Sequence, residues 1–94
     1  MQKSLHSDQH QILLSLLRQA RIDRAITQEL LSTNIGMSQS DISKVERGVR
    51  RLDILELRLW LQGLGISLQA FSSELDDRLS ANETMSKQVL GRKR

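Results

Sequence analysis

Gln28-Glu-Leu-Leu-Ser-Thr-Asn-Ile-Gly36-Met-Ser-Gln39-Ser-Asp-Ile-Ser-Lys-Val-Glu-Arg47 is the stretch that decides the fold. Two helices that cross steeply through a short turn need three things in register. These are a small residue where the axes approach, a glycine in the turn, and apolar residues that lock the pair onto a third helix. Counted from Gln28, Ser32 is the fifth residue and Gly36 the ninth, while Leu31, Ile35, Met37, Ile42 and Val45 take the apolar places. Thr27 is a good N-cap for the first of the two helices, with Glu29 near its positive end. Gly36 stands where a left-handed residue would end it. Ser38 can cap the second helix at Asp41, and the Asp41 carboxylate can return the bond as in a capping box. The spacing therefore predicts helices over 28–34 and 39–47, with Gly48 as the stop.

Outward from this pair the pattern stays helical. Ile12, Leu13, Leu16, Leu17 and Ala20 recur at helical spacing and predict a first helix over about 8–22, capped by Ser7. The basic loop Val49-Arg50-Arg51-Leu52 leads into Asp53-Ile54-Leu55-Glu56, a second capping-box pattern, and a helix over 54–63. That helix is apolar nearly all round and is expected at the centre of the core. Ser67 caps a fifth helix over 68–79 with Leu68, Phe71, Leu75 and Leu79 on one stripe. Residues 80–94 lack periodicity and read as a flexible basic tail beyond a folded 1–79 domain. There is no strand signal, so the fold class is all-α.

The chain has 94 residues, enough for one modest core, and a self-contained enzyme with a deep pocket is not expected. Without cysteine there is neither a disulfide framework nor a thiolate zinc site, which suits a reducing cytoplasm. No stretch has the ~18–20 unbroken apolar residues of a membrane span, and Met1-Gln-Lys-Ser-Leu-His lacks the apolar segment of a signal peptide. The formal net charge is +3, but residues 1–79 hold ten Lys/Arg and ten Asp/Glu; the excess comes from residues 80–94. The informative imbalance is local: Lys44, Arg47, Arg50 and Arg51 stand against Glu46 alone.

With these residues in place, 17–79 resembles the helix-turn-helix domain of the phage-repressor, Cro-like and xenobiotic-response-element-type regulators. Leu17-Arg-Gln-Ala-Arg-Ile-Asp-Arg-Ala-Ile-Thr-Gln is similar to the family's opening segment. Gly36-Met-Ser-Gln-Ser-Asp-Ile-Ser-Lys-Val-Glu-Arg-Gly48 is similar to its turn and recognition helix, and Leu64-Gly-Ile-Ser-Leu to its last link. The resemblance implies a compact five-helix, lambda-repressor-like domain that binds double-stranded DNA as a transcriptional regulator. It also implies a repressor acting by operator occupancy as a homodimer. Departures are Ala25 where glycine is common, Ser32 for the usual alanine, and Leu52 where proline is frequent. A left-handed turn at Ala25 would be strained, and Ser32 is tolerable if its hydroxyl bonds a carbonyl one turn back.

In such a domain the third helix enters the major groove with its N-terminal residues at base edges. The expected base contacts are Gln39, Ser40, Ser43 and Lys44, with Ile42 and Val45 pointing inward. The expected phosphate contacts are Thr27 and Gln28 at the second helix's N-terminus, then Arg47, Arg50 and Arg51. Arg21 and Glu46 are expected as a partly buried structural ion pair. Plainer readings stand beside these: Gln39 and Ser40 are also good first-turn residues, Lys44 could be merely solvated, and Arg47 suits a helix C-terminus. Surplus apolar surface on Leu55, Leu59 or Trp60, with the fifth helix, is the expected dimer seam; cover by the first and fifth helices is the alternative.

A competing function is that of an antitoxin or adaptor of the same fold that binds a toxin or other protein partner. No metal, cofactor or catalytic group is expected. His6 and His10 have the spacing of a metal pair but no third ligand, and no cluster of Ser, His and acid suggests nucleophilic chemistry.

Overall fold

The computed structural model describes the backbone of residues 5–89 and the side chains of residues 8–84. Its elements are α1 (Leu5–Asp23), α2 (Gln28–Ile35), α3 (Gln39–Glu46), α4 (Ile54–Leu64) and α5 (Leu68–Val89), with no strand among the described residues. Local chemistry sets the boundaries. Thr27 Oγ1 accepts the Leu30 N–H at 3.0 Å, Ser38 Oγ the Asp41 N–H at 3.0 Å, and Ser67 Oγ the Ala70 N–H at 3.0 Å. At α4 both halves of the capping box form between Asp53 and Glu56. At α3 the described bonds hold no return from the Asp41 carboxylate, which is one methylene shorter than glutamate.

The helix pair of the opening stretch forms as expected. Gly36 ends α2 at φ 73°, a left-handed conformation that glycine takes without steric cost. Ser32 departs from expectation: its hydroxyl donates forward to the Met37 carbonyl at 2.5 Å, tying α2 to the turn, not back along its own helix. Ala25 does take the strained left-handed shape, at φ 56°.

Leu17, Leu31, Ile42, Val45, Trp60 and Leu61 are the fully buried side chains, drawn from α1 through α4 and joined by Leu64 and Phe71. Burying each large one contributes roughly 1.5–3 kcal/mol. The close approach of α2 and α4 falls at Gly63, where a Cβ would lie 2.5 Å from Ile35 Cγ2 and 2.9 Å from Leu31 Cδ1.

Three expectations change. Helix α1 starts at Leu5, so Ser7 lies inside it and is not its cap. Helix α5 runs on to Val89, so residues 80–89 are helical and not a flexible tail; α5 lies along α1, and Gln9 Nε2 donates to Glu83 Oε2 at 3.3 Å. The cations Arg92, Lys93 and Arg94 of that tail lie outside the described residues. Lastly, α4 is not buried all round. Trp60, expected among the seam candidates, is fully buried, whereas Ile54, Leu55 and Leu59 are exposed, Leu55 to 74%. The reason is that α4 packs on α2 and α5 and leaves its third side to solvent.

Candidate nucleic-acid interface

Helix α3 is held from beneath and open above. Ile42 and Val45 insert into the core and fix its rotation. Gln39, Ser40 and Lys44 are thereby turned out to solvent, and Ser43 is half-buried beside them. Arg47, the C-cap residue, is exposed and reaches back along the helix, its Nε donating to Ser43 Oγ at 3.2 Å. The chain then folds tightly over the helix end: the N–H groups of Val49 and Arg50 both donate to the Lys44 carbonyl, at 2.8 and 3.2 Å. This brings Arg47, Arg50 and Arg51 to the same end of α3 as Lys44. The outer edge is thus polar at its start and cationic at its finish.

The start of α2 borders this face. Thr27 is exposed and its hydroxyl oxygen is engaged in capping. The Gln28 amide is engaged inside the protein, its Nε2 donating to Glu46 Oε1 at 2.9 Å. Glu46 is also the partner of Arg21, through Arg21 Nε to Oε2 at 2.7 Å and Nη2 to Oε1 at 2.9 Å. Arg21 Nη1 reaches the Ile26 carbonyl at 2.8 Å. One carboxylate therefore joins the ends of α1 and α3 to the first residue of α2. The expected ion pair is present, and Gln28 is a member of it that the sequence did not disclose.

A second carboxylate does similar work at the α3–α4 loop. Glu56 Oε1 accepts the Asp53 N–H at 3.0 Å, and Oε2 accepts Arg50 Nη2 at 2.9 Å. Arg50 Nη1 adds a bond to the Arg51 carbonyl at 3.3 Å. The Arg50 guanidinium, and after it the Asp53 N–H, hold the Glu56 carboxyl below its ordinary range. Arg50 is raised above its ordinary value chiefly by the same bond. No residue spacing in the sequence signals this pair, because Arg50 lies in the loop and Glu56 in α4. Arg51 is exposed.

A helix pair of this kind, with a locked inner face and a polar outer edge, defines the helix-turn-helix DNA-binding class. The helix-turn-helix family model of the Cro/C1 type matches residues 17–71, and the chain belongs to that family. It is a DNA-binding transcriptional regulator. An XRE-family-like protein from Pseudomonas syringae pv. tomato str. DC3000 is 38% identical, with a TM-score of 0.74 over 78% of this chain and 89% of that one. The restriction-modification controller protein C.Esp1396I, as a tetramer on its natural 35-base-pair operator, is 27% identical with a TM-score of 0.69, over 76% and 93% of the two chains. A point variant of that controller on its highest-affinity operator site is 26% identical with a TM-score of 0.70, over 82% and 97%. No curated protein sequence matches the chain. The family and fold are those of DNA-binding regulators, and no helix among the described residues is long and apolar enough to cross a membrane.

Proposed function

We propose that this protein is a cytoplasmic, homodimeric repressor that performs no chemistry and acts by occupying a promoter-overlapping operator, with the two α3 helices in successive major grooves. The observation that carries this reading is the outward edge of α3: Gln39, Ser40 and Lys44 exposed over an inner face locked by Ile42 and Val45. Gln39, Ser40, Ser43 and Lys44 read bases, the Gln39 amide being suited to adenine and the Lys44 ammonium to guanine. Thr27, Arg47, Arg50 and Arg51 grip phosphate, and Gln28 joins them through the backbone N–H groups at the start of α2 while its amide stays on Glu46. The similar controller is itself an oligomer on operator DNA, which supports the assignment.

Dimerisation follows from α4. Ile54, Leu55 and Leu59 are exposed apolar residues on a side of α4 that none of the described residues covers, and a second copy brings a second α3 to the next turn of DNA, about 34 Å away.

Selection of bound duplexes from a random pool tests the reading. The wild type should enrich a two-half-site sequence, and Gln39→Ala should relax the preference at one position in each half, where a bidentate contact is worth about 1–3 kcal/mol. Arg50→Ala should weaken binding without changing the preferred sequence. Recovery of no preferred sequence, with binding insensitive to salt, would instead favour a protein-partner role such as that of an antitoxin or adaptor.

A further inference from the structure

We propose that Glu56 is a specificity-determining residue: its carboxylate restrains Arg50 so that the α3–α4 loop discriminates operator from bulk DNA. The proposal rests on the phosphate-gripping role given above to Arg50.

Glu56 uses both oxygens, one on the Asp53 N–H at 3.0 Å and one on Arg50 Nη2 at 2.9 Å. The first bond belongs to the α4 capping box and fixes where the carboxylate stands. The second fixes the guanidinium, which also bonds the Arg51 carbonyl. About a third of each side chain remains exposed, so Arg50 keeps donors free to meet a phosphate. Two opposing consequences follow. The carboxylate cancels most of the Arg50 charge as DNA senses it from a distance, and it also presents the guanidinium in one geometry.

Binding to random sequence samples many registers and depends mainly on charge and counterion release. Binding to an operator holds one register, set by α3, in which a pre-placed guanidinium loses little freedom on meeting its phosphate. Glu56 therefore weakens random-sequence binding while leaving operator binding nearly level.

Glu56→Gln tests this without removing the cap, because glutamine also closes a capping box at the third helical position. The probes are the duplex selected by the wild-type protein and a random-sequence duplex of equal length, each titrated from 50 to 200 mM salt. For the variant, the salt slope on random DNA should steepen by about 0.9, a loss roughly 3.5-fold greater across that range. At the low-salt end, random-sequence affinity should rise several-fold and operator affinity by less, so the specificity ratio falls. In an Arg50→Ala background the same substitution still removes a negative charge and should raise affinity for both duplexes alike. The specificity ratio should no longer fall there, since the restraint acts through Arg50. An unchanged ratio and slope in Glu56→Gln, with Arg50→Ala weakening both duplexes, would overturn the inference and leave the site intact. A specificity ratio that falls equally in both backgrounds would overturn it too, showing Glu56 to act without Arg50. If Arg50→Ala alters neither duplex, the phosphate assignment and the inference fall together. Melting temperatures of all variants separate these outcomes from misfolding.

Discussion

Two arginine–glutamate pairs of nearly equal length flank the C-terminal end of α3. Arg21 and Glu46 meet at 2.7 Å with side chains only 11% and 5% exposed, and Arg50 and Glu56 meet at 2.9 Å with 31% and 32% exposed. The first is sealed under α1, α2 and α3 with every oxygen engaged, so removing one partner strands a charge away from water. The second lies at the surface of the α3–α4 loop, where water and salt screen it and where one partner can be exchanged for a phosphate at little cost. The same chemistry is locked in place when buried and open to exchange when exposed; depth decides.

The strongest way to break the comparison is Glu46→Ala. It should cost about 3–5 kcal/mol by denaturant unfolding, and DNA affinity should fall because the folded population falls. A variant with wild-type melting and abolished binding would move Glu46 from the fold to the interface. A smaller test addresses the turn that the buried pair clamps. Arg21 Nη1 bonds the Ile26 carbonyl, next to Ala25 in its left-handed conformation at φ 56°. A left-handed alanine costs roughly 1–2 kcal/mol, and glycine returns part of that relief as backbone entropy. Ala25→Gly should therefore stabilise the protein by about 0.5–1 kcal/mol in the same assay. Destabilisation would mean that the clamp, and not the residue, sets the turn.

What the sequence made legible follows the same division by depth. The helix pair, the caps at Thr27, Ser38, Asp53 and Ser67 and the inward set Leu31, Ile42 and Val45 were readable, because each rests on periodicity or on a bond spanning three residues. The Arg21–Glu46 pair was readable only through family resemblance, since nothing local connects residues 25 positions apart. Gln28 on Glu46, Arg50 on Glu56 and the forward bond from Ser32 to Met37 were not readable. Each depends on where two elements come to rest. The reach of α5 to Val89 was missed for a related reason. Residues 80–89 have a weak apolar stripe of their own, and α1 alongside α5 supplies contacts, such as Gln9 with Glu83, that composition does not reveal. Gly63 carries no signal of its own in the sequence and is the point where α2 and α4 nearly touch.

The smallest expected effect concerns a titratable group that has neither pair's carboxylate. His10 sits half-buried on α1, its Nε2 has no hydrogen-bond partner among the described residues, and burial first and Arg51 second lower its pKa below the ordinary 6.5. The sign follows from linkage. Above the unfolded value of 6.5 both states hold a neutral ring and His10 contributes no pH dependence. Below it the unfolded chain takes the proton more readily than the folded one, so stability declines as pH falls toward the depressed folded value. Carboxylates change little between pH 7.5 and 5.5, which isolates the histidines. The melting temperature should therefore drop over that interval in the wild type and drop less in His10→Gln. Equal drops would show that water or a neighbouring side chain satisfies the charged ring after all. In that case burial depth, which separates the two arginine pairs, would not govern this third site.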